Sequence, residues 1–168
     1  MVALGLREMH QHNFLHRDIK SDNILCSTEG EIKIADLGFS TCLTQQEAYR
    51  RTCMGTRSWV SPEIIQKKPY SKEVDIWSYG CFAFELATGM PPYPNTRGGG
   101  SLFEKVLNDP VPPIPNTWSR TFQDFLDHCL DKNGTTRWTA EQLLRHEFLQ
   151  DAAECKQAWI DDFRRWHK

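Results

Sequence analysis

Carboxylate, amide and ammonium side chains crowd the segment His16-Arg17-Asp18-Ile19-Lys20-Ser21-Asp22-Asn23, and a second acidic run, Asp36-Leu37-Gly38, follows downstream. A carboxylate beside an ammonium can orient a hydroxyl, accept its proton and place positive charge where phosphate oxygens gather negative charge. Asp18 fits the first role and Lys20 the second. Oxygen donors such as Asn23 and Asp36 suit Mg²⁺, a hard cation. A hairpin joins the two stretches: Ile24-Leu25-Cys26, a turn over Ser27 to Gly30, and Ile32 alternating with Ile34. A turn centred between Glu29 and Gly30 predicts Leu25 opposite Ile34 and Ile24 opposite Ala35, which sets Asn23 opposite Asp36. Neighbouring strands lie about 4.8 Å apart, so amide and carboxylate would converge at the open end.

By residue type alone, a solvated mixed-charge turn explains Asp18 and Asn23 equally well. Order and spacing decide. The stretch resembles the protein-kinase catalytic loop, H-R-D-L-x-x-x-N, followed by D-F-G and A-P-E. Here the set reads His16-Arg17-Asp18-Ile19…Asn23, Asp36-Leu37-Gly38 and Ser61-Pro62-Glu63. Asp75-Ile76-Trp77-Ser78-Tyr79-Gly80 is similar to the family's buried central helix. The resemblance runs over residues 1–149, which it marks as part of a kinase domain, with 150–168 as a C-terminal helical tail.

The resemblance implies Asp18 as catalytic aspartate, Asn23 and Asp36 as Mg²⁺ ligands, and Leu25 as the floor under the adenine of ATP. It also implies that Asp75 holds the backbone at His16 and Arg17, and that Arg137 pairs with Glu63. Lys20 after Asp18, with Thr56 after Gly55, is similar to the serine/threonine class, and the wording around Gly55-Thr56-Arg57-Ser58-Trp59 to its STE group. The long polar stretch from Gly38 to Ser61 becomes an activation loop. Thr52 is its phosphosite candidate, ordered through Arg17 after modification by an upstream kinase; Thr41 and Thr44 are rivals. Leu37 and Ser61 depart from the pattern, Ser61 adding a helix-capping hydroxyl. No glycine-rich loop, strand lysine or helix glutamate of the family occurs. The fold expected is mainly α with a small β-hairpin, the family's large C-terminal lobe with the N-terminal lobe absent, so that ATP is held by one wall.

The elements that must position these groups are readable. Val2, Leu6 and Met9 share one helical face, and Val74 to Ala87 is apolar on nearly every face before Gly89 stops the helix. Ser61-Pro62 opens a helix, and Ser101…Glu104, Thr121…Asp124 and Thr139…Gln142 match or approximate capping boxes. Trp159, Ile160, Phe163 and Trp166 share a face of a terminal helix. His10-x-His12-x₃-His16 spans a helix end and a loop with no thiol or acid fixed nearby, which does not favour zinc.

With 168 residues, 25% charged and a formal charge of −2, the chain is one domain or part of one, with no global basic field for nucleic acid. No apolar run approaches the roughly 18 residues of a membrane span. Six scattered cysteines and an N-terminus charged from Arg7 predict reduced thiols in cytoplasm or nucleus. Three functions fit: a serine/threonine kinase acting on protein substrates, a non-catalytic kinase-like interaction module, and a small-molecule phosphotransferase. Arg17, Lys20, Ser61-Pro62-Glu63 and the polar loop disfavour the third.

Overall fold

The computed structural model describes residues 1–44, 47–52, 55–94, 101–115, 117–150, 157–158 and 160–161. Helix α1 (Val2–Gln11) buries Val2, Ala3, Leu6 and His10 along one face; Val2 and Leu6 lie there as the spacing predicts, whereas Met9 is only half-buried. Strand β1 (Phe14–Leu15) follows, then the hairpin of β2 (Ile24–Cys26) and β3 (Ile32–Ile34), then β4 (Thr41–Cys42). The helices α2 (Pro62–Ile65), α3 (Glu73–Thr88), α4 (Leu102–Asn108), α5 (Arg120–Cys129), α6 (Ala140–Leu143) and α7 (Glu147–Gln150) complete the order. The described fold is helical with two small antiparallel ladders.

Helix α3 is the axis of the core. Every residue from Val74 to Phe84 is buried, including the polar Asp75 and Ser78, and Gly89 ends it at φ 81° in the left-handed conformation that glycine adopts without strain. Gly80 lets α5 approach: a Cβ there would lie 2.6 Å from Cys129 Cβ and 2.8 Å from Leu130 Cδ2. Around that contact Tyr79 meets Phe125 edge-on at 5.8 Å, and Phe122 and Phe125 join the same cluster. A smaller core gathers Leu15, Val60, Ile64, Tyr70 and Val74 under the polar loop.

The hairpin register differs from expectation by one residue. Ile24 pairs with Ile34, Leu25 with Lys33 and Cys26 with Ile32, so the turn is centred on Glu29. The cause is a three-residue loop closed by Ser27 N–H to Glu31 O at 2.9 Å, with Gly30 at φ 78°. A left-handed glycine at the end of such a loop adds one residue to the connection. Asn23 therefore faces Ala35, whose N–H it accepts at 2.8 Å, and not Asp36.

Two helix starts also depart from the reading. Helix α5 is capped by Ser119, which accepts the Phe122 N–H at 3.1 Å, and Thr121 lies inside the first turn. Ser61 precedes Pro62 as expected, yet its hydroxyl caps nothing and is buried without a partner. The Thr139–Gln142 box forms in both directions, at 2.8 and 3.2 Å, and Ser101 N–H reaches Glu104 at 3.2 Å. The pairing of β1 with β4, Phe14 to Cys42 and Leu15 to Thr41, was not foreseen. Trp159, Phe163 and Trp166 lie outside the described residues; Ile160 is buried.

Candidate active site

Asp75, fully buried on the first turn of α3, sets the base of the site. Its Oδ2 accepts the His16 N–H at 2.9 Å and its Oδ1 the Arg17 N–H at 2.7 Å. His10 Nε2 adds a third contact to Oδ2 at 2.9 Å. Three donors keep the buried carboxylate satisfied, the condition under which such a charge is tolerated. The His10 contact was missed, because a histidine on a buried helix face gives no sign of its partner.

The residues above this anchor are held in costly conformations. Arg17 (φ 68°) and Asp36 (φ 61°) are non-glycine residues in the left-handed region, where each costs on the order of 1–3 kcal/mol unless its surroundings over-determine it. Arg17 is over-determined. Besides its amide bond to Asp75, its Nε donates to Phe39 O at 2.6 Å and its Nη1 to Thr52 Oγ1 at 3.0 Å and Tyr70 Oη at 3.3 Å. Gly55 makes room beside it, since a Cβ there would fall 2.8 Å from Arg17 O. His16 Nδ1 accepts the Asp18 N–H at 3.3 Å, so its Nε2 carries the proton donated to Ala35 O at 3.0 Å. That bond ties the loop to the residue before Asp36.

Asp18 is buried at 2% exposure and receives donors on both oxygens. Thr56 gives its hydroxyl at 2.6 Å and its N–H at 2.9 Å to Oδ1; Asn23 Nδ2 and Lys20 Nζ each reach Oδ2 at 3.0 Å. Burial alone would raise the carboxyl's pKa. The hydrogen bonds of Thr56 and Lys20 and the Lys20 charge outweigh it, so the group sits below its ordinary value. Lys20 Nζ also donates to Thr56 Oγ1 at 2.8 Å. Asn23 spends both amide hydrogens on Asp18, at O (2.8 Å) and Oδ2 (3.0 Å), which leaves its Oδ1 free to accept. Asp36 is exposed and engages Oδ1 with Gly38 N–H at 3.0 Å.

Arg137 grips Glu63 through two nitrogens, at 2.6 and 3.1 Å, and both are buried. It also donates to Glu73 O and Asp131 O and lies over the Trp77 ring. Thr52 meets Arg17, while Thr41 sits in β4 and Thr44 closes a turn with Glu47. Tyr70, unforeseen, donates its hydroxyl to Thr52 O at 2.9 Å. Leu25 is 55% exposed on the hairpin.

The histidines at 10, 12 and 16 do not converge: their partners are Asp75, Glu8 and Ala35. Among the described residues Asp124, His128 and His146 do, with ligand atoms within 4.8 Å of one another. The Phe148 N–H donates to His146 Nδ1 at 3.1 Å, so the proton sits on Nε2, facing Asp124 Oδ2 at 3.0 Å. A metal would need that nitrogen's lone pair. His146 instead serves the start of α7.

The sequence that builds this site has known relatives. The model of the protein kinase domain matches residues 1–149. The chain belongs to the protein kinase family. Kinases similar to it are serine/threonine-protein kinase pakC of Dictyostelium discoideum, 43% identical over 152 residues, and SMU1 of Mycosarcoma maydis, 42% identical over 151; each alignment covers 89% of this chain. A third is serine/threonine-protein kinase sid1 of Schizosaccharomyces pombe, 40% identical over 156 residues and 92% of this chain. The chain spans 32%, 20% and 33% of those kinases in turn, a third of their length or less.

Proposed function

We propose that the chain is the large lobe of a serine/threonine kinase domain of STE type, which transfers the γ-phosphate of ATP to Ser or Thr hydroxyls of proteins. The observation that carries this is the buried Asp18 carboxylate, fixed from both sides by Thr56, Lys20 and Asn23. A carboxylate so placed orients an incoming hydroxyl and accepts its proton, and the adjacent ammonium faces the phosphate oxygens as charge builds on them. In the folded chain Asp18 is held ionised, the form that a proton acceptor requires.

The donor set fits Mg²⁺. Asn23 Oδ1 is left unused by its two hydrogen bonds, and Asp36 is an exposed carboxylate two residues beyond β3, at the start of the turn Leu37–Phe39; both offer hard oxygen atoms. Bound there, the cation would neutralise phosphate charge. Leu25 presents an apolar surface beneath the adenine. Thr52, already against Arg17, places a phosphate added to its hydroxyl within reach of that guanidinium. The unpaired thiols of Cys26, Cys42, Cys81 and Cys129 agree with a reducing compartment, cytoplasm or nucleus.

Transfer of label from γ-labelled ATP to a Ser/Thr peptide by the full-length protein tests the reading. We expect Asp18→Asn to cut kcat by a hundredfold or more with the fold intact. Equal turnover by the variant would overturn the assignment. Absence of any turnover in the parent protein would favour an interaction module on the same surface.

A further inference from the structure

The two cations of the loop that carries Asp18 are committed to neighbours within the fold. Arg17 is bound to Phe39, Thr52 and Tyr70, and Lys20 to Asp18 and Thr56. Arg57 is exposed and has no acidic partner among the described residues. Its guanidinium lies 5.8 Å from the centre of the Phe103 ring on α4. An aromatic face steers a cation without neutralising it, so the hydrogen-bonding fork remains open to a carboxylate.

The backbone beneath Arg57 is fixed. It follows Thr56, which holds Asp18 through both its hydroxyl and its N–H. It begins the 3₁₀ turn Arg57–Trp59, tied to α3 by Ser78 Oγ donating to Trp59 O at 2.9 Å. Consecutive Cα atoms are about 3.8 Å apart, and an extended peptide advances roughly 3.3 Å per residue. A peptide whose hydroxyl rests at Asp18 therefore brings its near neighbours within reach of this side chain. Glu85 accepts from Ser21 Oγ at 3.0 Å, and Asp22 lies in the turn Ser21–Asn23; neither is paired with Arg57.

We propose that Arg57 selects protein segments that carry an aspartate or glutamate within about three residues of the acceptor hydroxyl. The proposal rests on the kinase reading above and names its substrate class. An exposed ion pair of this kind is worth roughly a two- to fivefold preference in kcat/KM.

The test uses the full-length protein and a set of Ser/Thr peptides in which aspartate, lysine or alanine occupies each of the three positions on either side of the acceptor. We expect one placement at which aspartate is favoured over alanine, a preference lost in Arg57→Gln and turned toward lysine in Arg57→Glu. A change of fold or stability alone would not invert a charge preference. An aspartate preference that is absent, or that persists unchanged in both variants, overturns the proposal while leaving the kinase reading standing. Failure to label any peptide, the alanine set included, overturns the kinase reading and this proposal with it.

Discussion

Asp18 links protonation to folding. Its pKa is lower in the folded chain than the ordinary 3.8, so the unfolded chain binds more protons between the two values. The stabilisation is fully present above about pH 4 and is lost as pH falls through the folded value. Chemical denaturation of the parent and of Asp18→Asn should therefore differ more at pH 6 than at pH 3. A difference independent of pH would contradict the assigned network. Ser61 acts in the opposite sense. Its buried hydroxyl has no partner, and such a group costs about 1–3 kcal/mol. Ser61→Ala should raise the melting temperature by roughly 2–4 °C per kcal/mol recovered; calorimetry that shows a fall would mean that the hydroxyl is satisfied.

At the scale of elements, the Glu63–Arg137 pair locks α2 to the segment that leads into α6. Removing one partner strands the other charge, so Arg137→Met should cost about 3–5 kcal/mol by denaturant titration, and the double variant with Glu63→Leu should recover much of it. This pair, α3 and the hairpin were legible because each has a signal spread over several residues: motif order, an all-round apolar run, alternating isoleucines. The misses have local causes. One left-handed glycine at position 30 moves the whole register by a residue. Ladders two residues long, such as β1 with β4, are too short to show alternation. Two hydroxyls near one helix start, Ser119 and Thr121, offer rival caps that only the backbone at Ser119 resolves. The resemblance joins Arg17 to Thr52 only through an added phosphate; that the bare hydroxyl already meets Arg17, and that Tyr70 shares in the contact, depends on a loop crossing that spacing does not encode.

For the molecule as a whole, chemistry and core are not separate layers. The carboxylate that grips the loop amides of His16 and Arg17 belongs to α3, buried without a break from Val74 to Phe84. Those two amides can open only when α3 yields. Deuterium uptake at His16 and Arg17 should accordingly be as slow as in the middle of α3, protected close to the limit set by global unfolding, although both lie in a loop. Fast exchange there would show that the grip is transient. Slow exchange would mean that thermal noise reaching this loop is filtered by the entire hydrophobic interior, so a reacting group can stay in place between turnovers without a rigid strand or helix of its own.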